Sequence, residues 1–128
     1  MKAFDFKSEF YDLSYKDDIL CLTYKHGPIT IAIAKEVVAK RLELTNGEKV
    51  LLLIDDKDLK GIDREARDYL SSDNGVEGLL AAALLSGNYF SQHLANFFLK
   101  ITVNKPKIPA KVFANRTEAI KWLHEFKD

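Results

Sequence analysis

The residues best placed for chemistry are three carboxylates, Asp55, Asp56 and Asp58, which follow the apolar run Val50-Leu51-Leu52-Leu53-Ile54. An unbroken run of that kind reads as a strand covered on both faces. Ligands of open α/β sheets gather just past the carboxyl ends of such strands, and clustered carboxylates can hold magnesium there. One chemistry to weigh is therefore a magnesium-dependent phosphoacceptor at Asp55 or Asp56. The competing reading is a solvated turn whose aspartates hydrogen-bond local backbone.

Other reactive side chains are scattered. His26, His93 and His124 share no metal-ligand spacing. Cys21 is the single cysteine, which excludes an internal disulfide and a cysteine-based metal cluster; inside an apolar segment it behaves as a small hydrophobe. Ser86-Gly87-Asn88 has too little glycine for a phosphate loop, and neither Ser86 nor Ser91 sits in a nucleophile-elbow motif. The acidic run, with Lys105-Pro106, superficially resembles a two-component receiver domain. Receivers also need an acidic pair after their first parallel strand, where this chain has Lys25-His26-Gly27, and here the lysine–proline pair follows a helical segment. The expectation is a protein without catalytic residues, metal site or cofactor, not an enzyme.

The elements that would position these residues follow from hydrophobic period and punctuation. Phe4, Phe6 and Phe10 share one parity of a period-2 pattern interrupted by Ser8, which predicts a first strand near 4–13. Lys16-Asp17-Asp18 is a turn, and Ile19 to Tyr24 a second strand, so the two form an antiparallel hairpin. Thr30 caps a helix in which Ile33, Ala34, Val37, Val38, Arg41 and Leu42 recur at helical spacing. Asn46-Gly47 ends it. After the strand at 50–54, Asp63 caps a helix of about 64–71 with Glu65 in its first turn. Leu79 to Leu85 is a short buried strand whose alanines let helices approach closely. From Asn88 to Thr102 the period returns to helical, with Phe90, Leu94, Phe97, Phe98 and Ile101 on one arc. Ala110 to Ala114 is a strand, and Asn115 with Glu118 forms a capping box for a final helix carrying Ala119, Ile120, Leu123 and Phe126, with Trp122 beside them. The predicted order is β-β-α-β-α-β-α-β-α: one α/β domain over 1–128, with a mostly parallel sheet and an N-terminal antiparallel hairpin.

Composition narrows the partners. Nineteen basic residues balance nineteen acidic ones in 128 residues, which argues against a dedicated nucleic-acid binder. Met1-Lys2-Ala3-Phe4-Asp5-Phe6 lacks the apolar core of a signal peptide, and no segment reaches the roughly 18 apolar residues of a membrane span. A cytoplasmic protein with no membrane partner is expected.

The stretch Leu52-Leu53-Ile54-Asp55-Asp56-Lys57-Asp58-Leu59-Lys60-Gly61-Ile62-Asp63 resembles the STAS (anti-sigma-factor-antagonist-like) pattern: a buried strand, an acidic turn, then an Ile-Asp pair opening a helix. The tail, Ala110-Lys111-Val112-Phe113 through Ala119-Ile120-Lys121-Trp122-Leu123, is similar to the last strand and helix of SpoIIAA-like bacterial proteins. The resemblance implies that fold over most of the chain and a regulatory role through protein contacts. In regulatory members the aspartate is followed by Ser-Ser-Gly-Leu, whose second serine a partner kinase phosphorylates. The matching positions here are Arg64, Glu65, Ala66 and Arg67. No hydroxyl is available, so the switch does not carry over. Glu65 stands at the phosphoserine's position, either as a permanent charge or simply as a residue that the helix dipole favours.

Two contact regions follow. One is Asp63, Arg64 and Glu65; the other is Tyr89, His93 and Leu99, which lie off the apolar stripe of their predicted helix. The expected partner is another protein or a second copy of the chain. The alternative is a carrier of a small apolar ligand, which the SpoIIAA-like resemblance permits; it requires a cavity between sheet and helices, lined by Phe90, Phe97 or Trp122.

Overall fold

The computed structural model describes residues 1–55, 61–85 and 107–127. Among them the chain runs through β1 (Phe4–Lys7), β2 (Tyr11–Lys16), β3 (Ile19–Tyr24), α1 (Ile31–Leu44), β4 (Val50–Asp55), α2 (Arg64–Leu70), β5 (Leu79–Leu85), β6 (Ala110–Phe113) and α3 (Arg116–His124). The six strands form one sheet in sequence order. β1–β2 and β2–β3 are antiparallel, and the β3–β4, β4–β5 and β5–β6 pairs are parallel.

The start of the chain departs from the expected order. The single strand predicted over 4–13 is two strands, so the sheet gains an antiparallel member. Ser8 causes the break: its hydroxyl donates to the Tyr11 carbonyl at 2.7 Å and accepts the Tyr11 amide at 3.2 Å. The turn reverses the chain and changes the parity that faces the core, from Phe4 and Phe6 to Tyr11, Leu13 and Tyr15. Phe10, counted with the first strand's apolar set, lies in the turn and is exposed. The helix expected over 88–102 lies outside the described residues.

Elsewhere local chemistry sets the boundaries as expected. Thr30 Oγ1 accepts the Ile33 amide at the start of α1, and Asn115 Oδ1 accepts the Glu118 amide at the start of α3. Asn46 and Gly47 both take the left-handed conformation after α1, and the Gly47 amide returns to the Leu42 carbonyl at 2.9 Å. Asp63 occupies the N-cap of α2 but makes no side-chain capping bond.

α1 and α2 share one face of the sheet, as crossovers of one hand onto successive neighbouring strands require. Beneath them lie Leu20, Leu22 and Tyr24 of β3, Val50 and Leu52 of β4, and Ala82 and Leu84 of β5. The opposite face carries Ile19, Leu51, Leu53, Ala81 and Ala83, covered by Ala119 and Leu123 of α3. This double cover explains why β4 is apolar without alternation. Ala81, Ala83 and Ala119 are all fully buried, so small residues meet where α3 crosses the sheet. The end of α3 is fastened to the β2–β3 turn by an ion pair between Lys127 and Asp18 at 2.6 Å.

Candidate functional site

The carboxyl end of the parallel strands is the first place to look. Asp55 ends β4, with Thr23 of β3 and Leu85 of β5 beside it in register. Its Oδ2 accepts a hydrogen bond from Arg116 Nη2 at 3.3 Å, and the same guanidinium reaches Cys21 Sγ at 4.0 Å. Arg116 opens α3, where a positive charge opposes the helix dipole; Asp55 supplies the compensating charge. The first acid of the predicted acidic loop thus ties α3 to the central strand. Asp56 and Asp58 lie outside the described residues. Among the described residues no three histidine, cysteine or acidic side chains converge in a way that could hold a metal ion. His26 is a turn residue with positive φ, and His124, on the exposed side of α3, approaches the Asp17 carbonyl at 3.4 Å.

The opening of α2 is the second place. A short parallel bridge joins Ile29 to Ile62: the Ile29 amide donates to the Gly61 carbonyl, and the Asp63 amide to the Ile29 carbonyl, each at 2.9 Å. The bridge sets the first turn of α2 beside that of α1. Asp63, Arg64 and Glu65 are exposed there, and Ala66 is the buried anchor beneath them. Tyr89, His93 and Leu99 lie outside the described residues, so only this half of the predicted contact region has a described geometry.

The third place lies between sheet and helices, where the carrier alternative requires a cavity, and Arg41 is not among the lining residues expected for it. Under α1 and α2 is a cavity of about 50 Å³, lined mainly by Leu22, Tyr24, Val37, Val38, Leu52, Ala82 and Ile108, with Arg41 among them. Arg41 is only 2% exposed. Its Nη1 donates to the Glu77 carbonyl at 2.6 Å and its Nη2 to the Gly75 carbonyl at 3.2 Å. Burial disfavours its charged form and lowers its pKa from the usual value, partly offset by Tyr24 and Glu77. Burial raises the pKa of Tyr24 in the same cavity. A signal for Arg41 existed: it falls on the apolar spacing of α1, an inward position where a charge is unusual.

Trp122 does not line this cavity, contrary to the sequence-based expectation. It belongs to α3 on the other face, with its ring centroid 5.5 Å from that of Phe113 and 4.9 Å from that of Phe126. α3 packs on the face of the sheet that α1 and α2 leave open. Phe90 and Phe97 lie outside the described residues.

Residues 13–127 match the sequence profile of a family described as "Domain of unknown function (DUF7793)". No curated protein matches the chain. Among solved structures it is similar to an uncharacterized protein of the DUF3478 family, with a SpoIIAA-like fold, from Shewanella loihica PV-4. The TM-score is 0.62 at 16% identity, over 91% of this chain and 98% of that one. The match bears out the SpoIIAA-like scaffold and carries no residue roles to this chain. Among the described residues no helix is long and apolar enough to cross a membrane.

Proposed function

This chain belongs to the DUF7793 family, whose description assigns no activity, and we propose that it is a non-enzymatic, STAS-like module that acts through protein contacts in regulation. The reading includes a cytoplasmic location and no phosphorylation switch. Its main support is the opening turn of α2, where Asp63, Arg64 and Glu65 stand exposed together over a buried alanine. The backbone bonds between residues 29 and 61–63 hold that turn in place, and a pre-organised surface loses less conformational freedom on binding. Mixed charges favour a partner with complementary mixed charges over a phosphate backbone.

The test compares proteins retained from native lysate by the wild-type chain and by an Arg64→Glu/Glu65→Lys variant. A partner held by the wild type and lost by the folded variant is expected. Identical retained sets would refute the assignment of this surface. A second reading, a carrier of a small ligand, is favoured by one observation: the cavity beneath α1 and α2.

A further inference from the structure

We propose that this cavity takes a short-chain monocarboxylate, whose carboxylate pairs with Arg41 and whose alkyl end lies on Leu22, Leu52 and Ala82. The proposal rests on the carrier reading and names its ligand class.

A buried cation is costly unless it is paired and hydrogen-bonded. Among the described residues, Arg41 bonds only to two neutral carbonyls, those of Gly75 and Glu77. The Glu77 side chain is exposed and forms no ion pair with the guanidinium. A guanidinium has five N–H donors, so donors remain after these two bonds are made. Planar donors of this kind match a carboxylate's two oxygens. Glu77 acts on the guanidinium only through its field; a carboxylate in the cavity would pair with it directly, which no acidic side chain among the described residues does.

Size and lining limit the rest of the ligand. A water needs roughly 10–15 Å³ of such space, so a cavity of about 50 Å³ holds only a few non-hydrogen atoms. Acetate and propionate are of that order, and long-chain acids are not. The aliphatic surroundings suit a short alkyl group and disfavour a doubly charged oxyanion, which would lose more hydration. Ile54, Leu70 and Val76 line the cavity and are only half-buried.

The experiment titrates the full chain with sodium propionate, with 1-propanol as the neutral match and sodium chloride as the salt control. Amide chemical shifts and melting temperature are followed. Saturable propionate shifts near Leu22, Leu52, Gly75 and Ala82 are expected, with propanol binding weaker by roughly tenfold or more. Arg41→Lys should weaken propionate by a clearly larger factor than it weakens propanol. Should Arg41→Lys fail to fold, Ala82→Val decides: it fills the cavity from a strand position suited to a β-branched residue and should abolish propionate binding. Equal binding of propanol and propionate would overturn the role of Arg41 while leaving a neutral-ligand carrier standing. Binding of neither, or propionate binding unchanged in Ala82→Val, would overturn the proposal and remove the cavity's support for the carrier reading.

Discussion

Replacing Gly75 by alanine should be among the most damaging single-methyl changes in this protein. Gly75 is buried in the connection between α2 and β5. A methyl group added there would press into the Tyr69 carbonyl oxygen and lie 2.6 Å from Leu70 Cα and 2.7 Å from Leu70 C. All three are backbone atoms of the end of α2, so no side-chain rotation relieves the overlap. Overpacking of this kind costs about 1–3 kcal/mol, with rigid neighbours at the upper end. The shift also disturbs the Gly75 carbonyl that accepts from Arg41 Nη2; losing a bond to a charged group adds about 1.5–3 kcal/mol. The sum is about 5 kcal/mol, or a fall in Tm of roughly 20 °C for a domain of this length.

Gly47→Ala is the internal control. Gly47 has φ +72 and nothing within 4 Å of the added carbon, so the cost is only left-handed strain, about 1–2 kcal/mol. Urea and thermal unfolding of both variants, followed by circular dichroism, measure the difference. Equal destabilisation of the two would refute the argument that the Tyr69–Leu70 backbone excludes a side chain at Gly75.

Leu123→Ala should lose about 3 kcal/mol in urea titration, because Leu123 is fully buried against the second face of the sheet. Asp17 has positive φ in the β2–β3 turn, so Asp17→Gly, which leaves the Asp18–Lys127 ion pair in place, should raise stability by about 0.5 kcal/mol in the same assay. Burial, followed by the hydrogen bond with Glu36, raises the Tyr11 pKa to about 12. The unfolded chain, with a tyrosine pKa near 10, therefore ionises first. Stability present below about pH 10 is lost as pH rises towards 12, and Tyr11→Phe should flatten that loss in alkaline unfolding curves. Tyr24 is raised in the same direction, so some slope should remain. Arg116→Ala should cost no more than about 1 kcal/mol by thermal unfolding, since its pair with Asp55 is half-exposed.

Much of the architecture was readable because its signals are local. The run Val50–Asp55 is apolar without alternation because β4 has neighbours in the sheet and helices on both faces. Thr30 and Asn115 mark helix starts because their side chains satisfy amides that the first turn leaves unpaired. The opening strands were misread for the same reason. Period-2 parity cannot distinguish one interrupted strand from two paired across a turn, and the deciding bonds, between Ser8 and Tyr11, become visible only when the turn closes. Of the candidate contact residues, Asp63, Arg64 and Glu65 follow from the STAS-like pattern of an Ile-Asp pair before a helix, and their exposure at the opening of α2 is a finding of the structure. The engagement of Asp55 by Arg116, distant in the chain, was not legible.

By itself, then, the sequence determined the strands and helices from β3 to β5, the parallel core, the SpoIIAA-like scaffold and the absence of a hydroxyl at Arg64–Arg67. These depend on residue type and near-neighbour spacing. Only the tertiary structure decided that α3 takes the face opposite α1, carrying Trp122 away from the cavity. It also turned Arg41 from one member of a helical stripe into a buried cation held by two carbonyls. A charge on an apolar stripe signals burial, but its partners come from a connection more than thirty residues away, and only packing brings them together.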